Sequence, residues 1–120
     1  MNLEKLDEIL AVDEGIRYVA LIDSKGNLIT SKSKPTVSQI IIDVNAEYVL
    51  DLCITKQMMD IFNTQFGKPL SMLIRRENTK QLIYYHDYMI IYVSCEHNIS
   101  EDRMTIMFQK IDKLVKELTK

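Results

Sequence analysis

Apolar positions change their spacing along the chain, and each change marks an element. Leu3, Leu6, Ile9 and Leu10 recur at helical spacing among Glu4, Lys5, Asp7 and Glu8. That pattern predicts a short helix over about 2–12, with Asn2 as its N-cap. Asp13-Glu14-Gly15 ends it, and Ile16 to Ile22 reads as a strand. The turn Asp23-Ser24-Lys25-Gly26-Asn27 places its glycine where a hairpin needs positive φ, and Leu28 to about Ser31 is the return strand. A polar connection, Lys32-Ser33-Lys34-Pro35, follows.

Residues from about 38 to 66 read as the long helix, firmest from Ala46 onward. The β-branched run Ile40-Ile41-Ile42 leaves its start open between helix and extended chain. Gly67 stops the helix and Pro69 prevents its continuation. Three strands come next, over Leu70 to Arg76, Gln81 to Tyr85 and Tyr88 to Cys95. Their connections, Glu77 to Lys80 and the pair His86-Asp87, are too short for anything but antiparallel neighbours. The last helix runs from about Glu101 to Leu118, capped by Ser100, with Met104, Met107, Ile111, Leu114 or Val115, and Leu118 facing inward.

The order is therefore α-β-β-α-β-β-β-α in a single domain covering residues 1–120. The strands ending at Ile22 and at Cys95 are apolar on both faces, as central strands are. The second strand ends in lysines and the third in Arg75 and Arg76, which are features of edges. These assignments predict an α/β fold with a five-stranded antiparallel sheet in the order 2-1-5-4-3. The long helix covers one face and the terminal helices the other.

The long helix carries more apolar surface than one sheet contact requires. At about 100° per residue, Ala46, Val49, Leu50, Cys53 and Ile61 form a stripe that can face the sheet. Tyr48, Leu52, Met59, Phe62 and Phe66 form a second stripe on the opposite side. A second stripe on an outer helix calls for a cover: another copy of the chain, another protein, or the chain's own 32–45 segment.

Composition narrows the chemistry. The net charge of −2 gives no electrostatic case for nucleic acid. No apolar run approaches the length of a membrane span, and the charged first ten residues lack a signal-type run, so a cytoplasmic location with free thiols is expected. The only residues resembling a metal set are His86 and Cys95-Glu96-His97, which a strand separates by roughly 25 Å. Cys53 or Cys95 with His97 is the sole nucleophile–base pairing to consider, and it lacks an orienting group. Gly15, Gly26 and Gly67 stand apart, so there is no phosphate or dinucleotide loop. The carboxylate pairs Asp13-Glu14 and Glu101-Asp102 belong to helix ends. No enzyme, cofactor or metal site is expected. Arg75, Arg76 and Lys80 form a small basic patch around one turn, read mainly as solvated surface and otherwise as a patch for an acidic partner, and Tyr84, Tyr85, Tyr88 and Tyr92 read mainly as sheet packing.

The element order, the hairpin from Tyr18 to Ile29 with its apolar-Asp-x-x-Gly pattern, and the final strand and helix together resemble the roadblock family, named for a dynein light chain. Profilin-like, longin and PAS-type domains share this outline. The roadblock resemblance spans nearly the whole chain and implies a non-enzymatic homodimer, paired through the long helix and the third strand. It implies an interface at Tyr48, Leu52, Met59, Phe62, Phe66, Leu70, Met72 and Ile74. It also implies a platform role, often toward small Ras-like GTPases or in motor and signalling complexes. The chain departs from the family pattern at Ile40 to Ile42 and in its Met-rich last helix. The rival reading is a small-molecule sensor of PAS or profilin-like type, with a pocket between sheet and helix.

Overall fold

The computed structural model describes residues 3–34 and 46–118, apart from the side chains of 46–50. Its elements are α1 (Glu4–Leu10), β1 (Ile16–Asp23), β2 (Leu28–Ser33), α2 (Ala46–Asp60), α3 (Asn63–Phe66), β3 (Ser71–Arg75), β4 (Thr79–His86), β5 (Met89–Glu96) and α4 (Glu101–Glu117). The sheet is antiparallel in the order β2-β1-β5-β4-β3, as the sequence predicts. The expected N-cap Asn2, the Ile40 to Ile42 run and the start of the long helix over 38–45 lie outside the described residues.

Strand alternation sends side chains to two separate cores. On one face Val19 and Leu21 of β1, Leu82 and Tyr84 of β4, and Ile91 and Val93 of β5 pack against α1 and α4. Leu6 and Ile9 come from α1, and Met104, Met107, Ile111 and Val115 come from α4, which settles its inner stripe on Val115. On the other face Tyr18, Ala20 and Ile22 join Ile83, Tyr85, Ile90 and Tyr92 beneath Leu52 and Cys53 of α2. Three of the four hairpin tyrosines are thus core residues. Tyr92 accepts a hydrogen bond from Gln81 Nε2 at 2.8 Å, and the Tyr84 hydroxyl donates to the Phe108 carbonyl at 3.3 Å. Tyr88 differs: the two-residue loop is Asp87-Tyr88, one position later than the expected His86-Asp87, and Tyr88 stands in solvent. His86 instead pairs with Met89, and Asp87 takes the positive φ of +53°.

The first hairpin shows why its sequence turns. The Asp23 Oδ1 accepts from the Lys25 and Asn27 amides, both at 2.9 Å, while Gly26 adopts φ +88°. These contacts hold the Asp23 carboxyl below its ordinary value, with the Asn27 amide the main cause.

The ends of α4 and α1 are tied across the fold. Ser100 Oγ accepts from the Arg103 amide at 3.2 Å, which caps α4. The Arg103 guanidinium makes a two-pronged contact to Asp13, with Nε donating to Oδ2 at 3.2 Å. Asp13 also accepts from the Gly15 amide at 2.8 Å. Arg103 foremost, with Gly15 helping, holds the Asp13 carboxyl below its ordinary 3.8. A carboxyl lowered in the folded state adds stability above its unfolded value, and that stability is lost as pH falls through the folded value. Asp13→Asn is therefore expected to flatten the acid side of the stability profile below about pH 4, leaving the neutral-to-acid difference smaller than in the parent. Urea melts across that range check it.

Candidate interaction surface

The long helix does not run unbroken to residue 66. It stops at Asp60, turns through Ile61-Phe62 and resumes as α3, one turn long. Gly67 ends α3 at φ +79°, ψ 173°, a region that only glycine occupies at ease. No neighbour would block a side chain there, so conformational strain alone sets the cost. Gly67→Ala is expected to destabilise the fold by about 1–3 kcal/mol. A thermal melt measures it, and an unchanged melting temperature would contradict the backbone account.

This geometry corrects the two helical stripes. Leu52, placed by periodicity on the outer stripe, is only 3% exposed and packs against the sheet beside Cys53. Met59 is half-buried against the same core. Ile61, placed on the sheet side, is instead 73% exposed. Residues one position apart are only about 100° round a helix, so Leu52 and Cys53 share one broad buried face. The break after Asp60 then carries Ile61 off that face. Tyr48, Ala46, Val49 and Leu50 fall outside the residues whose side chains are described.

The exposed large apolar side chains described on α2 are Ile54 and Met58, and Ile61, just past its end, continues their spacing at i, i+4 and i+7. The run continues through Phe62 and Phe66, whose rings lie 6.2 Å apart, to Leu70. All six are exposed, Phe66 to 83%. Sequence reasoning reaches Phe62, Phe66 and Leu70 but misses Ile54 and Met58, although their spacing with Ile61 is the signal. An open groove of about 290 Å³ runs between Met59, Phe62, Phe66 and Pro69.

The surface ends at Leu70, the residue before β3, which pairs with β4 on one side and, among the described residues, forms the end of the sheet on the other. Met72 and Ile74 are half-buried and lean toward the α2 core. Leu70 is exposed, and its carbonyl accepts from the Tyr85 amide at 3.0 Å. The edge therefore keeps one row of backbone groups available to a further strand.

The three basic residues differ in what they touch. Lys80 Nζ donates to the Ile99 carbonyl, and Arg76 Nε donates to Gln81 Oε1 at 3.0 Å. Arg75 is exposed beside Lys80, on the sheet face where Leu73 meets Met104 of α4. It thus faces away from the α2 surface.

The thiols are held in unreactive states. Burial pushes the Cys95 thiol up to about 12. Burial also raises Cys53, whose Sγ lies 3.7 Å from the Asp23 carbonyl. His86 and Cys95 sit at opposite ends of the β4–β5 hairpin. No group of three metal-ligating side chains occurs among the described residues. No helix among them is long and apolar enough to cross a membrane.

No family model matches the sequence, and no curated protein does. Solved structures do match. MglB, a gliding protein of Thermus thermophilus, superposes with a TM-score of 0.75 at 11% identity, over 96% of this chain and 85% of that one. A roadblock/LC7 domain from Streptomyces avermitilis gives 0.67 at 9% identity, over 99% and 96%. The fold is that of a roadblock domain. Myxococcus xanthus MglB, at 10% identity and a TM-score of 0.70, covers 99% of this chain and 98% of its own. Identities this low establish the roadblock architecture and leave the partner open. Within that architecture Met72 and Ile74 of β3 pack on the same core as Leu52 and Cys53 of α2.

Proposed function

We propose that this chain is a non-enzymatic cytoplasmic adaptor of roadblock type that works as a homodimer, joined through α2 and the outer edge of β3. One observation carries the reading: six exposed apolar side chains, Ile54, Met58, Ile61, Phe62, Phe66 and Leu70, lead along the chain into an edge strand. Scattered apolar side chains are normal on a surface, but a contiguous strip beside an open edge is the mark of an interface. A two-fold axis beside β3 would join two five-stranded sheets into one and set two α2 helices against each other. Met72 and Ile74 would then flank the seam, and Leu52 and Met59 would support it from beneath. A tetrameric arrangement described for MglB supports self-association as a use of this fold.

The paired platform would serve another protein, and the roadblock resemblance favours a small Ras-like GTPase or a complex built around one. Arg75, on the α4 side and away from the seam, remains available to an acidic partner after pairing. Sedimentation equilibrium over a wide concentration range tests the pairing. The expected result is a species of twice the 14.0 kDa chain mass. A monomer at every concentration would overturn the reading.

A further inference from the structure

The sheet face beneath α1 and α4 is only partly covered. Its core draws on Val19 and Leu21 of β1, Ile91 and Val93 of β5, and Leu82 and Tyr84 of β4, and no residue of β3 is among them. Leu73 of β3 pairs opposite Leu82, so both side chains project to that face. Leu82 is buried there, whereas Leu73 is 48% exposed. Spacing explains the difference. Strands lie about 4.8 Å apart and packed helices about 8–10 Å apart, so one helix covers about two strands. Helix α1 lies against β1 and β2, α4 lies against β4, and β5 runs between them. The fifth strand keeps a bare face.

That bare face is the floor of a trough. Two adjoining hollows of about 250 and 240 Å³ run along α4, and both are lined by Leu73, Met104 and Thr105. Phe108 walls one end, its ring 5.4 Å from that of Tyr84. Arg75, Lys80 and Glu101 stand at the other. Arg75 is exposed, Lys80 is held by the Ile99 carbonyl, and neither has a carboxylate partner among the described residues. Two cations against one carboxylate leave that end positive.

One chain leaves bare about half the width of a helix. In the pairing proposed above, two β3 strands run side by side, and the bare strip widens to about 10 Å, room for one helix. We infer that the paired chains take one amphipathic helix of a partner protein into this trough. Its apolar face lies on the two Leu73 side chains, between the two α4 helices, and its acidic flanks meet the two Arg75 side chains. The inference rests on that pairing and adds the face used, the chemistry of the partner and one helix for two chains. No described helix of the chain itself is spare, because α1 and α4 bury their apolar faces and the exposed strip of α2 is used in the pairing. An extended segment would fill about half the width, and a basic helix would meet Arg75 and Lys80.

A stapled helix of about fifteen residues, with a leucine stripe flanked by glutamates, is the probe. Methyl NMR of the full chain follows Leu73 and Met104, and sedimentation of the same sample reads the pairing. The expected result is saturable shifts at both methyls, complete at one helix per two chains, with Ile54 and Met58 unmoved. The same helix with lysines in place of its glutamates is expected to bind at least about tenfold more weakly. Arg75→Glu should weaken the glutamate helix about tenfold or more in chains that stay paired and keep their melting temperature. Paired chains with no saturable shift up to about 1 mM helix would overturn the inference and leave the pairing standing. One helix per chain, equal binding of the lysine helix, unchanged binding by Arg75→Glu, or shifts at Ile54 and Met58 would overturn it too. So would growth beyond the dimer that shifts Leu73 without the probe, because another copy then fills the trough. A parent chain that sediments as a monomer would remove the pairing and this inference with it.

Discussion

Leu52→Asp is expected to unfold the domain. Leu52 is 3% exposed and packs with Cys53 against Ile22, Ile83, Ile90 and Tyr92, the core between α2 and the sheet. The substitution removes a buried leucine, worth about 2–5 kcal/mol when truncated to a small residue. It also places a carboxylate where the neighbouring side chains are aliphatic and aromatic, and protonating or exposing that group costs several kcal/mol more. Together these approach the whole stability of a small domain, about 5–15 kcal/mol. Circular dichroism and a denaturant melt at neutral pH read the outcome. A folded Leu52→Asp monomer would show instead that Leu52 belongs to a surface, as helical periodicity alone suggests.

Phe62→Asp is expected to do the opposite: leave each chain folded and separate the two copies. Phe62 follows the end of α2, is half exposed, and touches its own chain chiefly through Phe66 and the Met59 groove. Its replacement should change the stability of one chain by about 1 kcal/mol or less. At a paired seam the same change strips an aromatic anchor and sets two carboxylates near the two-fold axis. Loss of such an anchor costs about 2 kcal/mol or more, at least about thirtyfold in dissociation constant. Size-exclusion chromatography with light scattering should find a folded monomer where the parent is a dimer. A dimer as tight as the parent's would move the seam away from Phe62.

The contrast between these two residues shows how far the sequence can be read. The hairpin at Asp23 to Asn27 and the capping of α4 by Ser100 follow from local chemistry, because each depends on residues a few positions apart. The strand order depends on which strands are apolar on both faces, and that is visible in β1 and β5. Helix α2 is different. Leu52 and Cys53 on one side and Ile54, Met58 and Ile61 on the other make it apolar nearly all round, so its periodicity has no unique phase. Periodicity therefore assigns Leu52 outward and Ile61 inward, the reverse of their positions in the fold. The interruption at Ile61-Phe62 adds a further rotation that no regular helix would show. The trough beside α4 is invisible in the sequence for another reason. Its lining comes from β3 and α4, and nothing in the spacing of Leu73, Met104 and Phe108 brings them together before the chain folds.

Amide hydrogen exchange at β3, read at protein concentrations well above and well below the dissociation constant, tests most directly that β3 is the joining edge. Pairing would convert outward amides of Ser71–Arg75 from solvent-bonded to strand-bonded groups, while β2, at the other end of the sheet, would be untouched. The account predicts slowed exchange in β3 at high concentration and unchanged exchange in Leu28–Ser33 of β2. Exchange in β3 that ignores concentration, in a chain that nevertheless dimerises, would contradict it and place the seam elsewhere.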